Sequence, residues 1–238
     1  MKESSLKSIP IRHERRPCIG GLVPFSTVDW PDHLAATVFV SGCPWRCHYC
    51  HNPHLQPREK QMSWDAVTSF LRSRQGLLDA VVISGGEPLM DVALPDMVRD
   101  IHALGFEIGL HTAGIYPDRL EPLLPELNWI GLDIKTLPGQ YDELTGRTGS
   151  WKPVSSCLRM LQHWSEQTAR QYECRTTWSE SWLGQPALLD LALTLKEQGV
   201  TSYAVQRLRH TPDTEPTDCL SPSTHATLQS MFSTFTIR

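Results

Sequence analysis

Thr37-Val38-Phe39-Val40-Ser41-Gly42-Cys43-Pro44-Trp45-Arg46-Cys47-His48-Tyr49-Cys50 is the stretch that decides how this chain is read. Its first four residues are β-branched or aromatic, which suits a short buried strand, and Ser41-Gly42 stops it. A Cys-x3-Cys-x2-Cys array follows at once. Thiolates are the preferred ligands of iron–sulfur clusters and zinc. The segment therefore reads as a strand that delivers a metal-binding loop at its carboxyl end.

The same strand-then-helix grammar repeats outward from there. Further strands are expected at 80–83, stopped by Ser84-Gly85-Gly86, and at 106–110, 129–134, 172–177 and 203–208. Helices are expected between them. Trp64, Val67, Phe70 and Leu71 recur at helical spacing after Ser63, a good N-cap. Others are read at 95–104, closed by Gly105, at 154–164 and at 187–197, with a last helix in the tail from Ser221. A helix at 117–124 is interrupted by Pro122 and Pro125. Six strands alternating with helices call for an α/β fold with a parallel sheet and right-handed crossovers. Chemistry in such folds collects at the carboxyl ends of the strands. Cys43, Gly85, His111-Thr112 and the Asp133–Lys135 pair all fall at such ends.

The whole-chain properties narrow the class. The 238 residues suit one domain, and a formal net charge of −4 gives no reason to expect a nucleic-acid partner. No apolar run is long enough to span a bilayer. Residues 1–17 are polar and basic, with Arg12, Arg15 and Arg16. A twin-arginine export signal is rejected, because Pro17, Gly20, Gly21 and Pro24 interrupt what would be its apolar core. The expectation is a flexible tail over 1–17 and a single domain over 18–238. Seven cysteines, an odd number with three crowded together, do not look like a secreted disulfide framework. A reduced, cytoplasmic protein with a metal or cluster site fits better.

Three protein ligands on a four-iron cube leave one iron free for a substrate. Zinc is the first alternative, with His48, His51 or His54 completing a Cys3His site around Cys43, Cys47 and Cys50. A ferredoxin-like carrier is the second, with Cys18, Cys157, Cys174 or Cys219 as a distant fourth ligand, although none of these sits in a second cysteine-rich motif. Cys157, Cys174 and Cys219 read more simply as small buried hydrophobes.

The cysteine array, with an aromatic residue before its last cysteine, resembles the signature of the radical S-adenosylmethionine superfamily. Ser84-Gly85-Gly86-Glu87-Pro88 after a strand resembles that superfamily's second motif, and zinc proteins have no reason to carry both. The resemblance implies a partial (β/α)6 barrel open on one side, a [4Fe-4S] cluster on Cys43, Cys47 and Cys50, and S-adenosylmethionine chelated to the open iron through its amino and carboxylate groups. One electron then breaks a sulfur–carbon bond, and the 5′-deoxyadenosyl radical abstracts hydrogen. It further implies that Gly85, Gly86 and Glu87 meet the methionine amino group, and that Tyr49 lies against the adenine.

Gly20-Gly21-Leu22-Val23-Pro24-Phe25-Ser26 and Cys50-His51-Asn52-Pro53 are similar to the activating proteins of anaerobic ribonucleoside-triphosphate reductases, among the activases of glycyl-radical enzymes. The likeness runs over 20–146. It implies a backbone glycine of that reductase as substrate, an electron donor such as flavodoxin or ferredoxin, and Lys135 pairing with the methionine carboxylate. Thr112 and Asp133 match positions that help hold a monovalent cation in a related activase. His111 stands where that activase has aspartate, and imidazole is a poor ligand for an alkali cation. Gln206 and His210, at the end of the sixth expected strand, are candidates for the nucleoside. Asp29 and Trp30 are expected near the partner's docking face. The other readings are a radical enzyme acting on another glycyl-radical protein or a small molecule, and a non-catalytic zinc module.

Overall fold

The computed structural model describes residues 16–167, 170–208 and 218–238. Its strands are β1 (Ile19–Ser26), β2 (Ala35–Val40), β3 (Ala80–Gly85), β4 (Glu107–Thr112), β5 (Trp129–Asp133), β6 (Gln171–Trp178), β7 (Ser202–Arg207) and β8 (Thr234–Ile237). They form one eight-stranded sheet in sequence order, with β1 and β8 at its two edges, so the sheet does not close. β1 is antiparallel to β2, and every later pair is parallel. The six strands expected from the sequence are β2 to β7. β1 was hidden by Gly20, Gly21 and Pro24, which are poor strand formers. β8 is a four-residue strand that follows the last helix.

The helices are α1 (Trp64–Arg72), α2 (Leu94–Ala103), α3 (Pro117–Leu120), α4 (Tyr141–Thr145), α5 (Trp151–Gln167), α6 (Gln185–Glu197) and α7 (Pro222–Met231). Ser63 caps α1 as expected, its hydroxyl accepting from the Ala66 N–H. α3 ends after one turn and continues as a 3₁₀ segment over Glu121–Glu126. Pro122 and Pro125 have no N–H to continue the α-helical ladder.

Side chains alternate between the two faces of each strand. Val38, Val40, Val81, Ile83, Ile108, Leu110, Ile130, Leu132 and Val205 face the helices and join Val67, Leu71, Met97, Ile101, Leu158, Leu161, Leu188 and Leu191 in the main core. The other face carries a separate apolar cluster of Trp30, Ala35, Ala80, Val82 and Trp129 near the strand starts. Trp30 is 5% exposed and stacks on Trp129 at 5.7 Å between ring centroids. This corrects its expected place on a docking face: the ring is core. Further along the same face come Ser84, His111, Asp133 and Arg175, so an apolar floor gives way to polar side chains toward the carboxyl ends.

Residues 1–15 of the expected tail lie outside the described residues, and Pro17, its last residue, is buried. No helix among the described residues is long and apolar enough to cross a membrane.

Candidate active site

Cys43, Cys47 and Cys50 line a cavity of about 340 Å³ together with Gly85, Gly86, Asp133, Lys135, Arg175 and Gln206. A larger cavity of about 940 Å³ lies on the outer side, between 63–65 and 92–100, and contains no cysteine. Chemistry rather than size therefore selects the site. The cysteine loop is fixed by its backbone. Gly42 N–H donates to Leu55 O at 2.7 Å, Cys43 N–H to Gln56 O at 3.0 Å and Arg46 N–H to Thr145 O at 3.1 Å. The Trp45 ring is buried edge-on against Tyr141. The Arg46 guanidinium donates back to the Cys43 and Trp45 carbonyls at 2.6 and 2.8 Å.

The Gly85-Gly86-Glu87 turn is stitched to the same loop, with Gly86 N–H on Val40 O and Glu87 N–H on Gly42 O at 2.8 and 2.9 Å. A Cβ on Gly86 would stand 2.5 Å from the Gly42 carbonyl oxygen. Only bare backbone allows the two motifs to lie this close.

Glu87 departs from its expected role. Its side chain is fully buried, and its carboxylate accepts from the Thr112 hydroxyl at 2.7 Å, the Ala113 N–H at 2.9 Å and the Leu89 N–H at 3.0 Å. Only its backbone remains for a ligand. Thr112 lines the cavity, and its hydroxyl donates to Glu87 and accepts from Gly114 N–H at 3.0 Å. The two side chains tie the glycine turn to the end of β4. Burial, offset in part by Thr112 and the two N–H donors, pushes Glu87 up to about 7. A raised folded-state value means the native protein holds this proton more tightly than the unfolded chain, so its contribution to stability declines as pH rises from the ordinary carboxyl range through 7. Glu87→Gln sets an amide N–H₂ against the donors and is expected to cost about 1–3 kcal/mol. Thermal melts should show the largest gap to wild type near pH 5, narrowing by pH 8; a gap independent of pH would contradict this account.

The Asp133–Lys135 pair lies at the cavity, with an unforeseen third member. Arg175 on β6 is 4% exposed, and its Nη2 is 2.8 Å from Asp133 Oδ1. Lys135 Nζ is 3.5 Å from Asp133 Oδ2. Gly131 makes the room, since a Cβ there would lie 2.7 Å from the Arg175 guanidinium carbon. Burial alone would raise the Asp133 carboxyl, but Arg175 and Lys135 outweigh it and hold it below the usual range. Burial opposes charge on Lys135, yet Tyr49 and Asp133 hold it well above the ordinary lysine value. β6 carries no distinctive signal for Arg175, since Glu173, Thr176 and Thr177 are polar as well.

His111 is a neutral imidazole. Its Nε2 donates to the Asp29 carbonyl at 2.7 Å, and its Nδ1 accepts from the Ser84 hydroxyl at 3.2 Å. Burial, with Arg175 adding to it, pushes it down to about 3. Tyr49, expected to place its ring or its backbone against an adenine, lines the cavity, and its ring stacks on Trp182 at 4.3 Å and 18°. Trp182, in the loop after β6, was not anticipated. Gln206 lines the cavity, and His210 lies outside the described residues. Cys157 and Cys174 are buried as expected, whereas Cys219 is exposed.

The donor set fits an iron–sulfur cluster. Burial pushes the Cys43 thiol up to about 11 and raises Cys47, while Lys135 pulls both down. Thiolates at these positions need a bound cation to compensate their charge, which a coordinating metal provides. Among the described residues no group of three His, Cys, Asp or Glu side chains converges as a single-ion site requires.

The radical SAM superfamily model matches residues 37–163. The chain is 27% identical over 193 residues to a protein of Methanocaldococcus jannaschii named as a glycyl-radical enzyme activating enzyme, covering 79% of each chain. It is 28% identical over 156 residues to the pyruvate formate-lyase-activating enzyme of Streptococcus mutans, covering 58% of this chain and 57% of that one. Among solved structures it resembles Streptococcus suis SuiB bound to S-adenosylmethionine, with a TM-score of 0.56 at 16% identity over 82% of this chain and 48% of that one. The chain belongs to the radical SAM superfamily, enzymes that use a [4Fe-4S] cluster together with S-adenosylmethionine.

Proposed function

We propose that this chain installs a glycyl radical on an anaerobic ribonucleoside-triphosphate reductase, in the cytoplasm, with flavodoxin or ferredoxin as electron donor. One observation carries the reading: Cys43, Cys47 and Cys50 share one cavity with Gly85, Gly86, Asp133, Lys135 and Gln206. The three thiolates would hold the cluster. Bound there, the cluster and S-adenosylmethionine supply a 5′-deoxyadenosyl radical that takes a hydrogen atom from a glycine Cα.

The chain's own residues orient and enclose. The Gly85–Glu87 backbone faces the methionine amino group. Lys135 meets the carboxylate, with Asp133 and Arg175 fixing the lysine from behind. Gln206 is the described candidate for the nucleoside, and Tyr49 supports the cysteine loop from its stack on Trp182. His111 and Thr112 line the same cavity and hold its shape through Asp29, Ser84 and Glu87.

The reductase is favoured by the Gly20–Ser26 and Cys50–Pro53 segments. Pyruvate formate-lyase is the second reading, favoured by the Streptococcus mutans relative. Reconstituted protein, S-adenosylmethionine and a reductant are mixed with each candidate partner and examined by electron paramagnetic resonance. A glycyl signal on the reductase is expected. A signal on the lyase alone, or on neither with an intact cluster, would overturn the proposal.

A further inference from the structure

We infer that the Arg175 guanidinium is a built-in counter-ion that takes the place of the monovalent cation implied beside Thr112 and Asp133, so that this chain binds S-adenosylmethionine without an alkali cation. The inference rests on the reading of this cavity as the site of that cofactor.

The oxygens such a cation would need are already committed. A cation held by protein needs enough oxygens to replace its water shell. His111 offers no lone pair, because its Nε2 donates to the Asp29 carbonyl and its Nδ1 accepts from the Ser84 hydroxyl. The Thr112 hydroxyl donates to Glu87 and accepts from Gly114 N–H, which leaves it at most one lone pair. Asp133 has Oδ1 2.8 Å from Arg175 Nη2 and Oδ2 3.5 Å from Lys135 Nζ.

The fold builds Arg175 into this position. Arg175 is the register partner of Asp133 across the parallel β5–β6 ladder, so the two side chains leave neighbouring strands on one face. Gly131 opens the space, since a Cβ there would stand 2.7 Å from the guanidinium carbon. The Trp129 ring lies 5.9 Å from that carbon, a distance at which an aromatic face attracts a cation. A guanidinium keeps its charge when buried and is more weakly hydrated than an ammonium, which suits it to this enclosed pair. The charges also balance. Apart from the cysteine loop, the cavity lining carries the carboxylates of Asp29 and Asp133 against the cations of Lys135 and Arg175. Two carboxylates meet two fixed cations, and neither is left to attract a third. Glu87 is buried behind the glycine turn on three donors of its own.

The test is calorimetric binding of S-adenosylmethionine to the reconstituted, unreduced protein in KCl, NaCl or tetramethylammonium chloride at one ionic strength. Wild type should show one Kd in all three salts. Arg175→Met should lose affinity about tenfold or more in tetramethylammonium chloride, and should regain part of it in KCl, because Asp133 is then open to a small cation. Arg175→Lys keeps the charge and should stay indifferent to the salt. Arg175→Met with the same loss in every salt would make Arg175 a structural prop and overturn the inference. A wild-type Kd that tightens in KCl overturns it too, whether or not either variant folds. Wild-type protein that binds no S-adenosylmethionine in any salt overturns the reading of the cavity itself, so the two failures are distinguishable.

Discussion

Replacing Cys47 with alanine is expected to abolish both the cluster and cleavage of S-adenosylmethionine, reducing turnover to that of iron-free protein. The expectation follows from ligand number. A four-iron cube held by three thiolates has none to spare, and among the described residues no other cysteine lines the cavity. Cys157 is buried against Gly114, with its Sγ 3.4 Å from that carbonyl, and Cys174 lies in the main core. Neither can move in to substitute without disrupting the packing of a dense interior. Cys47 itself is half-buried on the edge of the core, so alanine leaves the fold in place. Cys219→Ser, at an exposed position, should leave iron content and cleavage unchanged. Cleavage at the wild-type rate in Cys47→Ala would mean that the ligands are wrongly assigned.

Gly85→Ala is expected to be the most destabilising small substitution in the chain. Gly85 has φ +126°, a conformation that L-residues rarely adopt, and an added Cβ would run into the backbone of Val40 on the neighbouring strand. The obstacle is main chain inside the sheet, so no flexible side chain can give way. A loss on the order of 4 kcal/mol follows, which for a chain of this size lowers the melting temperature by about 10 °C. The turn also abuts the cysteine loop, so cofactor affinity should fall with stability. Gly21→Ala is the control, since a Cβ there meets nothing within 4 Å. Equal melting temperatures for wild type and Gly85→Ala would show that the turn is not constrained in this way.

The parts of the fold legible in the sequence were those encoded locally. β2, β3 and β5 are runs of β-branched or apolar residues ended by Gly, Ser or charge, and the cysteine loop, the glycine turn and Lys135 follow those runs directly. β1 was not legible, because its two glycines and Pro24 carry no strand preference; pairing with β2 imposes the strand. β8 was too short to separate from the helix before it. Side-chain direction was also out of reach. Glu87 and Thr112 sit in the expected motifs but bond to each other, because three convergent donors await a carboxylate inside the fold. Arg175 and Trp182 enter the site from distant segments, and neither lies in a recognisable motif. Trp30 was expected near a partner's docking face, yet it closes the floor of the sheet because Gly109 leaves room for its ring.

The central claim is that the chain supplies only three ligands to a four-iron cluster and leaves one iron for S-adenosylmethionine. Mössbauer spectroscopy of anaerobically reconstituted protein, with iron, sulfide and zinc counted on the same sample, tests it most directly. The expected result is about four irons and four sulfides per chain, with one iron site changing its isomer shift when S-adenosylmethionine is added. Four irons that stay equivalent after the addition, or colourless protein with one zinc, would contradict the account.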